Sequence, residues 1–320
     1  MDIRTPELPM ADTTRDISAG AEPVTARLEA VDQQMVRIIQ SLNSTPARDA
    51  ALYHLKTGGH RMRARLALAS TADWDRHDDA VLAAAACELL HNASLIHDDI
   101  SDGDGYRRGH PTVRALHGDD VALCAGDLMM AASFDTASRL SDSRHASELT
   151  RSMAHCAARV IGGQSTELAL GNKAGLPGFR EYLDITRSKT APLIEVAIGA
   201  GQSASPNTVR SVSEGIGLAY QILDDLDDLT GFDNPMAEQS RLHAYHAWRH
   251  HQLRGPQAVA VDSSRVHARC LRHVQAALGR ADHLAEEFSA PLRDGVRELI
   301  LRLHHKSQRI QPSSHSSNGE

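Results

Sequence analysis

Aromatic residues make up only 3% of this 320-residue sequence. Strands draw on aromatic and β-branched side chains, whereas Ala and Leu, which dominate here, favour helix. Cysteine is equally sparse. The four present (Cys87, Cys124, Cys156, Cys270) lie far apart, without CxxC spacing, inside apolar helical patterns. That excludes a disulfide framework or a cysteine zinc site and predicts small buried hydrophobes of a chain kept in a reducing cytoplasm. No apolar stretch is long enough for a bilayer: the longest, around Ala80–Leu90, is interrupted by Cys87 and Glu88, so no integral membrane segment is expected. A formal net charge of -7 argues against nucleic acid as a partner. It leaves an anionic substrate open, because bound cations can reverse a local field.

Residues 1–22 are polar, contain two prolines and have no apolar core, so they are expected to form a flexible tail rather than a signal peptide. The Ser-rich end, 311–320, is expected to be flexible too. Residues 23–310 remain as one domain, long enough to bury a large core. Within it the apolar residues recur at helical spacing. Leu28, Val31, Met35, Ile38, Ile39 and Leu42 make one face, and Ala80–Asp99 is apolar nearly all round, which predicts a central buried helix. Further helices are expected over Asp119–Leu140, Ser147–Leu170, Gly178–Ala200, Val209–Leu229 and Arg265–Arg309. No alternating strand pattern and no solenoid repeat occurs, so the fold class is all-α, a helical bundle around a buried central pair. Pro235–Arg254 is polar and His-rich, a loop or irregular helix. Its His243, His246, His250 and His251 have a spacing that suits a transition metal, but in a chain with 19 histidines they read as solvated surface.

Two acidic clusters follow apolar helical runs: Asp98-Asp99-Ile100-Ser101-Asp102 and Asp224-Asp225-Leu226-Asp227-Asp228. Residues four apart share a helix face, so Asp98 pairs with Asp102, and Asp224 with Asp228. Like charges at that spacing repel, and two such sites are costly unless cations occupy them. Carboxylate oxygens suit Mg²⁺, which keeps waters and takes phosphate oxygens as ligands. A lone cluster of this kind is usually a solvated helix end; two in the same setting are harder to explain that way. A calcium loop over Asp98–Gly109 lacks the required carboxylates and the closing Glu. Cations lie nearby in sequence. Arg107-Arg108 directly follows the first cluster, Gly58-Gly59-His60-Arg61 sets a glycine pair before a basic run, and Lys189-Thr190 lies in a helical stretch. Each is suited to phosphate oxygens; ion pairing with Asp102 or Asp104 is the plain alternative for the arginines.

In that order, Cys87-Glu88-Leu89-Leu90-His91, Ser94 to Asp99 and Arg107-Arg108-Gly109 resemble the first signature of the polyprenyl synthetase family, the trans-isoprenyl diphosphate synthases. Tyr220-Gln221 to Asp228 resembles the second, and Gly126-Asp127, Gly162-Gly163-Gln164 and Lys189-Thr190 keep family order. The resemblance covers about Leu52 to Gly231. It implies an isoprenoid synthase bundle around a central cavity, assembled as a homodimer, that condenses isopentenyl diphosphate with an allylic diphosphate (dimethylallyl, geranyl or farnesyl). By the same resemblance Asp98, Asp99, Asp102, Asp224, Asp225 and Asp228 bind Mg²⁺. Arg107 and Lys189 hold the allylic diphosphate, His60, Arg61, His91 and Arg108 hold isopentenyl diphosphate, and Thr190 and Gln221 stand near the allylic group. Ala93 and Ser94, with Met129, Met130 and Phe134, set the product length, with geranylgeranyl diphosphate the expected product. Two departures stand out: His60 replaces a family lysine, and Gly231–Arg254 carries no lysine. They keep two alternatives in view, a class I terpene synthase acting on one allylic diphosphate and a non-catalytic subunit.

Overall fold

The computed structural model describes residues 24–171, 178–201, 204–228, Ala244, Ala247 and 263–310, with backbone only at 171, 228 and 263. Both expected tails lie outside these residues, as do His243, His246, His250, His251 and nearly all of 235–254. Ala244 and Ala247 are helical and buried.

The chain opens with α1 (Val24–Gln40), α2 (Pro46–Lys56) and α3 (Met62–Ser70). On α1 the expected stripe Leu28, Val31, Met35, Ile38 and Ile39 is buried, and Leu42 packs against the core beyond its end. Thr45 caps α2, its hydroxyl accepting from the Arg48 amide at 3.2 Å, with Pro46 at the first turn where no N–H is needed. Next comes α4 (His77–Asp102), in which Ala83 to Ala86 are all fully buried. Alanines let neighbouring helices approach closely, and α4 packs on α1, α3 and α6 (Asp119–Ser138), with further contact to α5 (Val113–His117), α7 (Ser143–Gly171) and α9 (Ala191–Gly199). By length and composition α4 does reach what a bilayer needs, contrary to the expectation from the shorter apolar run. However, 67% of its most apolar window is buried inside the fold, which makes it the core helix.

The stretch expected as one helix over 178–200 is two, α8 (Phe179–Lys189) and α9. Pro192 cannot continue a helix from Ser188, so the axis breaks at Thr190. Pro291 has the same effect downstream, separating α11 (Ser263–Leu284) and a 3₁₀ turn (Ala285–Glu287) from α12 (Ala290–Arg309). Between them in the chain, α10 (Pro206–Asp228) packs on α9, α11, α8 and α12. The all-α reading holds, and the strands among the described residues are a ribbon of two-residue strands, β1 (Tyr106–Arg107) and β2 (His110–Pro111), paired antiparallel. Cys87, Cys156 and Cys270 are buried as expected, while Cys124 is exposed on α6.

Candidate active site

The first acidic cluster forms the last turn of α4, closed by Gly103 in the left-handed region (φ 75°). Acids at a helix C-terminus oppose its dipole, and no basic residue shares that turn. Burial raises the pKa of Asp98 and Asp99 and pushes Asp102 to about 6; Lys189 opposes this at Asp98 and Asp102, and Arg107 at Asp99. Asp99 is 1% exposed. Its Oδ1 accepts from Arg107 Nε at 2.6 Å, and its Oδ2 is buried without a partner. Lys189 reaches the cluster from the end of α8 and pairs with Glu167 of α7. Burial lowers the Lys189 pKa, but Asp98, Glu167 and Asp102 raise it on balance. Gly163 permits this approach: a Cβ there would lie 2.9 Å from Ser188 Cβ and 3.1 Å from Lys189 Cγ.

Arg107 and Arg108 sit on the β1–β2 ribbon. Arg108 and Gly109 form its two-residue turn with φ of 53° and 77°, the sign pattern of a tight hairpin turn. The Arg108 guanidinium donates to the Gly58 carbonyl. A Cβ on Gly59 would stand 2.6 Å from Arg108 Nη1, and Gly58 and Gly59 both have positive φ (77° and 147°), so the glycine pair is what lets this arginine in. Arg61, at φ 50°, meets Asp32 of α1 through its Nε at 2.5 Å, and its Nη1 donates to the same Gly58 carbonyl at 3.4 Å. A second arginine, Arg63, which sequence reading passed over, also enters the interior. The signal was present, since Arg63, Leu66, Ala67 and Ser70 form one buried face of α3. Its Nε is buried and unpartnered. Burial lowers its pKa, while Glu88 and Tyr220 raise it. Burial, Arg63 and Arg108 hold His91 neutral, with its Nδ1 also buried and unpartnered. Glu88 accepts from the Ala64 amide at 3.0 Å. His60 is exposed beside the glycine turn.

The second cluster ends α10 and is internally divided. Asp225, 5% exposed, accepts from Tyr182 Oη (2.7 Å), Gln221 Nε2 (2.9 Å) and the Ala244 amide (2.8 Å). Asp224 Oδ1 instead faces Lys306 Nζ of α12 at 2.5 Å, and Lys306 also reaches Asp227 at 3.2 Å. The Asp228 side chain lies outside the described residues. Thr190 Oγ1 donates to Gln221 Oε1 at 3.4 Å, bringing those two expected neighbours together.

Burial pushes Asp225 from 3.8 to about 6 against those three hydrogen bonds. A carboxyl whose folded pKa lies above its unfolded one contributes stability that is complete below about pH 3.8 and lost as pH rises through about 6. The metal-free chain should therefore show a falling component of stability, up to about 3 kcal/mol, across that window. Melting curves from pH 4 to 7 should show a shallower fall in Asp225→Asn. Parallel pH profiles for the two proteins would disprove it.

Beside Asp98 a cavity of about 300 Å³ opens between α4, α6, α7 and α9. Leu90, Ser94 and Met130 line it, and Gln164 presents an amide with both polar atoms buried and unpartnered. Three expected length determinants do not line it. Ala93 and Met129 are fully buried in the helix packing, because they project from other faces of α4 and α6 than Ser94 and Met130; Phe134, one turn beyond Met130 on the same face, packs against the core outside the cavity lining.

Among the described residues no three His, Cys, Asp or Glu side chains form a ready metal cage. The donors nonetheless suit a hard divalent cation. Asp99 has an orphaned buried oxygen, and burial raises the pKa of three adjacent carboxyls at the wrong end of a helix dipole.

Residues 45–239, more than half of the chain, match the family model described as Polyprenyl synthetase. A short chain isoprenyl diphosphate synthase of Methanocaldococcus jannaschii is 35% identical over 207 residues, 61% of this chain and 63% of that one. The match thus spans under two thirds of that relative. A geranylgeranyl diphosphate synthase of Cyanophora paradoxa is 31% identical over 227 residues, covering 66% of this chain and 75% of that one. Among solved structures, the geranylgeranyl pyrophosphate synthetase of Geoglobus acetivorans superposes with a TM-score of 0.76 at 22% identity, over 88% of this chain and 99% of the other.

Proposed function

Since the chain belongs to the polyprenyl synthetase family, we propose that it is a trans-prenyltransferase that extends an allylic diphosphate with isopentenyl diphosphate. The observation that supports this is the presence of two cationic groups near the acidic turn of α4, whose Asp98 lines the apolar cavity. One comprises Arg107 and Lys189 beside the acidic turn of α4; the other is the interior group of Arg63, Arg108 and His91.

Asp98 and Asp102, with Asp224 of the second cluster, are the carboxylates that would hold Mg²⁺, which when bound would neutralise charge on the departing diphosphate. Asp99 orients Arg107, and Asp225 fixes Gln221 and Tyr182. Arg107 and Lys189 hold the allylic diphosphate while its carbon–oxygen bond breaks. Arg63 and Arg108 hold isopentenyl diphosphate next to it, so that its double bond forms the new carbon–carbon bond by proximity. The proton then lost passes to the released diphosphate. Gln221 and Thr190 stand beside the allylic cation, and the apolar walls keep water from it. The small Ser94 and the adaptable Met130 leave the cavity room for a geranylgeranyl product.

A homodimer is part of the proposal. The large apolar side chain that Leu123 exposes on α6 supports it, whereas the exposed Ile161 and Leu168 of α7 belong to the cavity wall. Four unpaired thiols support a cytoplasmic setting.

The test is turnover of an allylic diphosphate with and without isopentenyl diphosphate. Elongated product is expected only with both; a cyclic product from the allylic substrate alone would replace this reading with a terpene synthase. Arg63→Met should stay folded and raise KM for isopentenyl diphosphate about tenfold or more, since a charge-assisted hydrogen bond contributes about 1.5–3 kcal/mol. An unchanged KM would remove Arg63 from that site.

A further inference from the structure

Only four lysines occur in the chain: Lys56, Lys173, Lys189 and Lys306. Two of them stand at the acidic clusters, and they stand there differently. Lys189 is held by Glu167, an acid outside the first cluster. Lys306 instead sits directly on the second cluster, 2.5 Å from Asp224 Oδ1 and 3.2 Å from Asp227 Oδ2.

The position of Lys306 on α12 is not that of a surface lysine. Val296, Leu299, Leu303, Lys306 and Ile310 recur at helical spacing, and the four apolar members are buried. Lys306 is the charged member of the stripe that α12 turns to the protein, and its side chain is 23% exposed. Burial opposes its charge, yet the hydrogen bond and the charge of Asp224, with those of Asp227, raise its pKa on balance. Asp225 cannot substitute as the partner, because Tyr182, Gln221 and the Ala244 amide occupy it.

We propose that Lys306 is a built-in counter-cation of the second acidic cluster, one that a divalent ion must displace from Asp224, so that metal loads at the first cluster before the second. This rests on the magnesium-binding part of the function proposed above. A metal ion and an ammonium group compete for the same carboxylate oxygen, since Mg²⁺ takes an oxygen at about 2.0–2.1 Å and repels a cation beside it. Among the described residues no cation sits at ion-pair distance on Asp98 or Asp102, because Lys189 is anchored on Glu167 and Arg107 on Asp99. The second cluster therefore takes metal less readily than the first, and the negative charge of a bound diphosphate, by offsetting Lys306, favours its loading.

The test titrates Mn²⁺ alone, without substrate, into the full chain and into Lys306→Gln and Lys306→Met. It reads bound Mn²⁺ by electron paramagnetic resonance and the metal-dependent rise in Tm. Both variants should take up more Mn²⁺ at a given concentration, with the midpoint of the second uptake lowered about fivefold. Adding Asp224→Asn should cancel that gain. Lys306→Met keeps the aliphatic stem, so a fold lost in the Gln variant alone leaves the comparison intact. Wild-type uptake that depends on Asp98, with midpoints unchanged in both Lys306 variants, would overturn the counter-cation and leave the magnesium site standing. No uptake by any of the proteins would overturn both.

Discussion

Asp98→Asn is expected to lower kcat by about 10²–10³-fold, the usual scale for losing one preorganised electrostatic group at a reacting centre. The fold should survive. Asp98 lines the cavity rather than the core, and the amide has the shape of the carboxylate. Stability without metal should rise slightly, and the sign follows from the pKa. Burial raises the Asp98 carboxyl despite Lys189, so above its folded pKa the ionised side chain costs the fold free energy that a neutral amide does not. The Tm gain on adding Mg²⁺ with a bisphosphonate should shrink in the same variant. Steady-state kinetics and melting curves on one preparation check all three. A variant with activity within about threefold of wild type would remove Asp98 from the chemistry.

The second large effect is expected from adjacent residues on α4. Ser94→Phe should shorten the product, because Ser94 faces the cavity and a phenyl ring there would fill the space into which the chain grows. Ala93→Phe should do something different. Ala93 is fully buried where α4 packs against other helices, so a ring there overpacks the core, costing about 1–3 kcal/mol or more. The expected pair of results is shorter dephosphorylated products by chromatography for Ser94→Phe, and a lower Tm for Ala93→Phe. An unchanged length distribution in Ser94→Phe would place the cavity floor elsewhere. Shortened product from Ala93→Phe at full stability would reverse the assignment of the two faces.

That contrast marks how far the sequence could be read. Helical spacing alone identified the buried stripe of α1, the core helix α4 and both acidic turns, because a helix is specified by neighbours three and four residues apart. The breaks at Thr190 and before Ala290 were local as well, since Pro192 and Pro291 were already visible. By the same token Arg63 was legible as a charge on the inner face of α3, and was missed because the glycine pair drew attention to Arg61.

What no local pattern contains is which cation meets which acid. Arg61 finds Asp32 at a separation of 29 residues, Tyr182 finds Asp225 at 43, and Lys306 finds Asp224 at 82. Each pairing depends on how α1, α8 and α12 lie against the rest of the bundle, and helix packing is set by side chains contributed from several segments at once. The sequence by itself therefore determined the helices, the acidic turns and the kind of chemistry they serve. Only the tertiary structure decided that Asp99 and Asp225 are engaged in holding other residues, that Ser94 rather than Ala93 faces the cavity, and that a lysine from the last described helix sits on Asp224. Charges and cavity walls of this kind are assembled across the chain, and long-range contact is the one property that residue spacing does not encode.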